Sequence, residues 1–298
     1  MPTVVRQRFL CLLLAGFCLD ARAAFAEAVS PASVPAPNRG DLLAPAARER
    51  IVFDGRSRYN RVLVVDEGDR RSLYFGDLQQ ATQSTITKSD PRAVPMEYLR
   101  HAGSGLAFAK SRATALVVGL GGAAFPMLLR RILPAMRIDV VELDPLVREV
   151  ARDFFGLIED ARLRVHIADG AEFMHGARAR WDVIMLDAYG HSSIPEPLAT
   201  TAFFADVARR LAPGGIVIAN ISDTDSARER AMLACFAKAF PACILQLTPR
   251  SDNVIAVAGA ALPKDTKDIA SALQALDREA RLPFAVAPMA PLYHPCGE

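Results

Sequence analysis

The stretch at 115–143, ALVVGLGGAAFPMLLRRILPAMRIDVVEL, constrains the fold more than any other part of the chain. Residues 115–118 are a short apolar run of the kind that forms a buried parallel strand. Gly119, Gly121 and Gly122 follow, with only Leu120 among them. Glycines let the backbone turn tightly and let a ligand approach the main chain. Residues 123–131 have helical spacing, and the start of such a helix offers free backbone N–H groups. A second strand is predicted at 139–143, with Glu142 at its end, 23 positions beyond Gly119. A carboxylate so placed can accept hydrogen bonds from both hydroxyls of a ribose. The spacing alone suits a dinucleotide and an adenosyl sulfonium equally.

The alternation continues. Strands are expected at 164–168, 183–187 and 216–220, and helices at 146–155, 171–176, 201–211 and 226–240. Repeated strand–helix–strand units imply a parallel sheet covered by helices on both faces. The pattern then changes: runs at 243–247 and 254–258 are joined by a short polar turn at 248–253 and are expected to pair as an antiparallel hairpin. Five parallel strands closed by such a hairpin are the plan of the α/β, Rossmann-like class I adenosylmethionine-dependent transferase fold. A nucleotide dehydrogenase normally continues parallel. Ahead of this, runs at 51–54, 61–66 and 72–75 alternate as strands, giving a small β module over 47–92. A helix at 95–109 opens the main domain, 93–262, and 263–298 is expected as a polar helix followed by a Pro-rich, loose tail.

The first residues read as a secretion signal over 1–26. Arg6 and Arg8 precede an apolar run at 9–19, and Ala21-Arg22-Ala23 and Ala24-Phe25-Ala26 offer small-x-small cleavage sites. The run is too short to cross a bilayer, so no integral span is expected. A Pro/Ala-rich linker, 27–46, follows. If the signal is used the protein is exported, to the periplasm; otherwise it is cytoplasmic. Cys235, Cys243 and Cys296 then remain, without metal-ligand spacing, and are expected as free, structural thiols. A Cys235–Cys243 pair is permitted but not required. Net charge is only +2 and aromatics make up 7%, which gives no sign of a nucleic-acid surface.

In such a sheet ligands bind at the carboxyl ends of the strands. Four acids fall there. Glu142 is the ribose candidate. Asp144 either lines the site or caps the helix that starts at Pro145. Asp169, followed by Gly170, either accepts from an adenine amino group or caps the next helix. Asp187 directly follows Met185-Leu186, beside the place for a sulfonium. A sulfonium is already a strong electrophile, so a transferase needs no nucleophile. It must hold an amine in line and leave it a free lone pair. A carboxylate at Asp187 can accept the amine's proton or hydrogen bond. His191 is an alternative base or a solvated loop histidine.

These residues resemble the spermidine synthases, or polyamine aminopropyltransferases. The resemblance runs from about 50 to 258. It rests on Ser57-Arg58-Tyr59-Asn60, Gly76-Asp77-Leu78-Gln79, the segment from Glu97 to His101, the glycine loop, Val141-Glu142-Leu143-Asp144, Ala168-Asp169-Gly170, the run ending in Asp187, and Leu211-Ala212-Pro213-Gly214-Gly215. It implies that Gln79 contacts nucleoside or substrate, that Glu142 holds the ribose and Asp169 the adenine, and that Asp187 is the catalytic carboxylate. Three positions depart from the family pattern. Gly122 stands where the loop usually carries an Asp, Gly190 replaces a second Asp beyond Asp187, and Pro95-Met96 replaces a tyrosine–histidine pair. The segment from Asp187 to Thr200 is closer to the divergent spermidine-synthase-like branch.

The resemblance implies aminopropyl transfer from decarboxylated S-adenosylmethionine to a small-molecule amine, without a metal, and leaves room for a homodimer. The alternatives are methyl transfer from S-adenosylmethionine and a nucleoside-binding homologue without turnover.

Overall fold

The computed structural model describes residues 49–188, 195–221, 226–251 and 253–296. The signal and linker readings at 1–46, and Gly190 and His191, lie outside the described residues. The chain opens with β1 (Arg50–Arg56), β2 (Arg61–Glu67), β3 (Arg70–Phe75) and β4 (Thr82–Thr87). These form one antiparallel sheet in sequence order. Asp66 anchors it. Its buried carboxylate receives Arg71 at 2.8 Å and Lys88 at 3.1 Å, and Arg71 reaches on to the Phe154 carbonyl at 3.1 Å.

Helix α1 (Glu97–Ser104) leads into the alternating region: β5 (Thr114–Val118), α2 (Ala124–Ile132), β6 (Arg137–Glu142), α3 (Pro145–Phe155), β7 (Leu163–Ile167), α4 (Gly170–Gly176), β8 (Trp181–Leu186), α5 (Thr201–Arg210), β9 (Leu211–Ile221) and α6 (Ser226–Ala239). Then follow β10 (Ala242–Leu247), β11 (Val254–Gly259), α7 (Thr266–Glu279) and β12 (Tyr293–Pro295). The large sheet has the order β12-β10-β11-β9-β8-β5-β6-β7. Strands β5 to β9 are parallel, and β10 and β11 form the expected antiparallel hairpin. The chain runs from β5 outward through β6 and β7, then returns to the other side for β8 and β9. The order therefore reverses between β5 and β8, where a crevice opens above the strand ends.

Both faces of the sheet's central strands are buried. Along β5, Ala115 and Val117 join one apolar cluster while Leu116 and Val118 join the other. Neighbours in β8 alternate the same way, with Val183 and Met185 on one face and Ile184 and Leu186 on the other. That explains why these strands read as continuous apolar runs rather than as alternation.

Two expectations are corrected at the C-terminus. The tail is not loose: a 3-10 turn at Ala287–Leu292 leads to β12, which pairs antiparallel with β10. Val286, Ala290 and Tyr293 are buried, and Asp277 accepts from the Val286 and Ala287 N–H groups. Cys243 and Cys296 are not free thiols: they form a disulfide across a 5.4 Å Cα separation, and among the described residues Cys235 is the free cysteine. The pairing depends on β12 lying beside β10, which spacing along the chain does not reveal. Among the described residues, no helix is long and apolar enough to cross a membrane.

Candidate active site

Above the switch point lies a cavity of about 910 Å³. Gln79, Gly119, Gly121, Gly122, Glu142, Asp169, Gly170 and Asp187 all line it. Eight positions spread over more than a hundred residues thus meet in one place.

The glycine loop forms one wall. Gly119 has φ +98°, and a Cβ there would stand 2.2 Å from the Asp187 carbonyl oxygen. Only glycine lets the β5 end pass so close to the β8 end. At Gly122 a Cβ would meet the Ser84 hydroxyl at 2.6 Å. Strand β4 therefore fills the space that a loop side chain would need. Ala123 then takes φ 57° and opens α2, with no side-chain cap on the helix's first N–H groups.

Glu142 ties the end of β6 to this loop. One carboxylate oxygen accepts from the Leu120 N–H and the other from the Asp144 N–H, each at 2.9 Å. Burial pushes its carboxyl up from the ordinary range, and the backbone N–H groups oppose that. Asp144 is a capping residue: it is buried, accepts from the Leu146 N–H at 2.9 Å, and accepts the Ser57 hydroxyl at 2.5 Å. This last bond fastens the small β module to the main sheet. Asp169 also caps, accepting from Ala171 and Glu172 at 2.8 and 3.0 Å through one oxygen, while it lines the cavity. Gly170 lets α4 start against Val118 of β5, where a Cβ would come within 2.8 Å of a methyl. Gln79 is exposed on the opposite wall, after β3.

Asp187 ends β8. Asn220 donates to its Oδ1 and Tyr98 to its Oδ2, each at 2.9 Å. Burial pushes this carboxyl up, and the two donors pull it back. Sequence reasoning missed Tyr98, Asn220 and Asn253, which line the same cavity. Asn220 carried a usable signal, since it sits at a strand end as the acids do. Tyr98 carried none beyond helical spacing. Glu97, half-buried in the same wall, accepts from the Arg250 N–H at 2.9 Å. Among the described residues no group of histidines, cysteines or acids has the arrangement of a metal site.

A reversed-order parallel sheet with an antiparallel hairpin, and a cavity walled by a glycine loop and strand-end acids, define a protein of the class I adenosylmethionine-dependent transferase type. Residues 55–237 match the spermine/spermidine synthase domain, and the chain belongs to that family. It is 30% identical over 190 residues to the polyamine aminopropyltransferase of Vibrio vulnificus, covering 61% of this chain and 64% of that protein. It thus spans a little less than two thirds of that relative. Human methyltransferase-like protein 13, solved in complex with SAH, is similar with a TM-score of 0.58 and 29% identity, over 64% of this chain and 95% of that one. A spermidine synthase solved with the transition-state analogue AdoDATO shares the fold, with a TM-score of 0.61 and 20% identity, over 72% of this chain and 75% of that one.

Proposed function

We propose that the protein transfers an aminopropyl group from decarboxylated S-adenosylmethionine to an amine and releases methylthioadenosine. In this reading Glu142 accepts the ribose hydroxyls and Asp169 the adenine amino group. The glycine loop lies along the thioether, and Gln79 contacts the nucleoside or acceptor. The amine nitrogen forms a bond to the propyl carbon next to sulfur. The carbon–sulfur bond breaks and its electron pair returns to sulfur. The proton released from the new ammonium passes to Asp187.

The observation that carries this reading is the charge of the wall. Glu97, Glu142, Asp144, Asp169 and Asp187 line the cavity, and Arg70 is the one cationic side chain among the described lining residues. Such a wall suits a donor tail and acceptor that are both cationic better than a tail bearing a carboxylate. Given putrescine or cadaverine with the decarboxylated donor, purified protein is expected to release methylthioadenosine. No release with either amine sinks the reading.

Methyl transfer from S-adenosylmethionine is the second reading. It is favoured by the absence of an acid in the loop at Gly122, whose space Ser84 fills, and by the 29% likeness to the methyltransferase-like structure. Calorimetry separates the two: tighter binding of S-adenosylmethionine than of its decarboxylated form selects methyl transfer. Export belongs to the proposal as well. The Cys243–Cys296 bond supports an oxidising compartment. Mass spectrometry of the natural N-terminus tests it, and an intact leader on the mature protein refutes it.

A further inference from the structure

We propose that Asn253, in the turn joining β10 to β11, is a positioning residue for Asp187 that acts through the amide of Asn220. The proposal rests on the reading of Asp187 as the carboxylate that receives the amine's proton.

The geometry is a chain of hydrogen bonds. Asn253 Nδ2 donates to Asn220 Oδ1 at 2.9 Å, and Asn220 Nδ2 donates to Asp187 Oδ1 at 2.9 Å. Asn220 is only 4% exposed, so water offers its amide little alternative. Asn253 is itself held. Its main-chain N–H donates to Thr248 Oγ1 at 2.8 Å, and its main-chain carbonyl accepts from the Thr248 main-chain N–H at 2.9 Å. Thr248 is buried. The same turn gives the Arg250 N–H to Glu97. One short turn therefore braces two of the cavity's carboxylates, one directly and one through Asn220.

The chemistry gives the arrangement a purpose. A primary amide has a donor end and an acceptor end, and a half-turn exchanges them. With its NH₂ toward Asp187, Asn220 favours the charged carboxylate. With its carbonyl toward Asp187, it favours the protonated acid, which cannot take a proton from the amine. Asn253, with its Nδ2 toward Asn220, favours the first arrangement by giving the Asn220 carbonyl a donor. Other described groups facing the cavity are Tyr59 ahead of β2, Arg70 on β3, Tyr98 and Glu97 from α1, Glu142 at the end of β6, Asp144 just beyond it, and Asp169 after β7. Of these, Tyr98 is the one hydrogen-bonded to Asp187.

The test replaces Asn253 and reads Asp187 directly. The side-chain carboxyl of Asp187 is followed by carbon NMR in protein labelled at aspartate, its signal assigned by its loss in Asp187→Asn. Asn253→Asp presents an acceptor to Asn220, turning the amide so that its carbonyl faces Asp187. Its titration midpoint is expected about one pH unit or more above wild type. Asn253→Ala merely removes the donor and is expected to give a smaller upward shift. Arg250→Gln changes the charge of the same turn by the same single unit from an exposed side chain, leaves the Asn253–Asn220 contact in place, and controls for field alone. A shift in Asn253→Asp no larger than in Arg250→Gln, or no shift in Asn253→Ala, overturns the proposal. The acidic limb of kcat/KM is expected to move with the midpoint while the KM for the donor stays within about twofold. Midpoints that move as expected, in a wild-type protein that turns over neither donor, leave the positioning relationship standing and remove the transferase reading.

Discussion

The hydroxyl of Tyr98 donates to Oδ2 of Asp187 at 2.9 Å, from a helix 89 positions earlier in the chain. With Asn220 on the other oxygen, the carboxylate is gripped on both sides and faces the cavity in a fixed orientation. Burial alone would favour the protonated acid, and these two donors work against it.

Replacing Tyr98 by Phe tests that grip. Loss of one donor raises the Asp187 pKa further, so a larger fraction is protonated at a given pH and unable to accept a proton. The acidic limb of the pH–rate profile is expected to move to higher pH. At neutral pH kcat/KM is expected to fall about tenfold, near 1.4 kcal/mol. An unmoved limb with unchanged rate removes Tyr98 from the mechanism.

Glu142→Ala addresses the nucleoside end. It removes the acceptor of the Leu120 and Asp144 N–H groups as well as the proposed ribose contact. Methylthioadenosine affinity, read by calorimetry, is expected to weaken about ten- to hundredfold, the equivalent of about 1.5–3 kcal/mol. Equal affinity would show that the sugar binds elsewhere.

Asp66 sets a pH dependence of stability. Arg71 beside its carboxylate is the main cause that holds it down to about 2, against an ordinary value of 3.8. A depressed carboxyl contributes stability above its unfolded pKa and loses it as pH falls through the folded one. Melting temperature is therefore expected to drop between about pH 4 and pH 2. Asp66→Asn is expected to cost about 2 kcal/mol at neutral pH and to flatten that drop. A variant with the wild-type acid profile would place the sensitivity on another group.

The disulfide gives a fourth expectation. Cys243 and Cys296 are 53 positions apart, so the bond closes a long loop of the unfolded chain. Cys296→Ser, or reduction of the wild type, is expected to lower stability by about 3–4 kcal/mol in chemical denaturation. Equal stability with and without reductant argues that the bond does not form in solution.

Much of the architecture was legible because its causes are local. A strand buried on both faces needs an unbroken apolar run, and residues 115–118 and 183–186 supply one each. A left-handed turn pressed against another backbone needs glycine, as at Gly119. Helix-capping acids announce themselves by position, and Asp144 and Asp169 do cap. The strand ends also placed Glu142 and Asp187 on the cavity wall, since parallel strands bring their carboxyl ends to one edge and the reversal of strand order opens a crevice there.

What the amino-acid order determined by itself was therefore the alternation of elements, the glycine turn and the row of acids, each set by the backbone demands of a few neighbouring residues. The tertiary structure decided which groups those acids meet. Asn220 reaches Asp187 because β9 lies beside β8, Asn253 reaches Asn220 because β11 lies beside β9, and Cys296 reaches Cys243 because β12 lies beside β10. Apart from the β10–β11 hairpin, which its short turn announced, strand order and register arise from burying the whole core at once rather than from a local pattern.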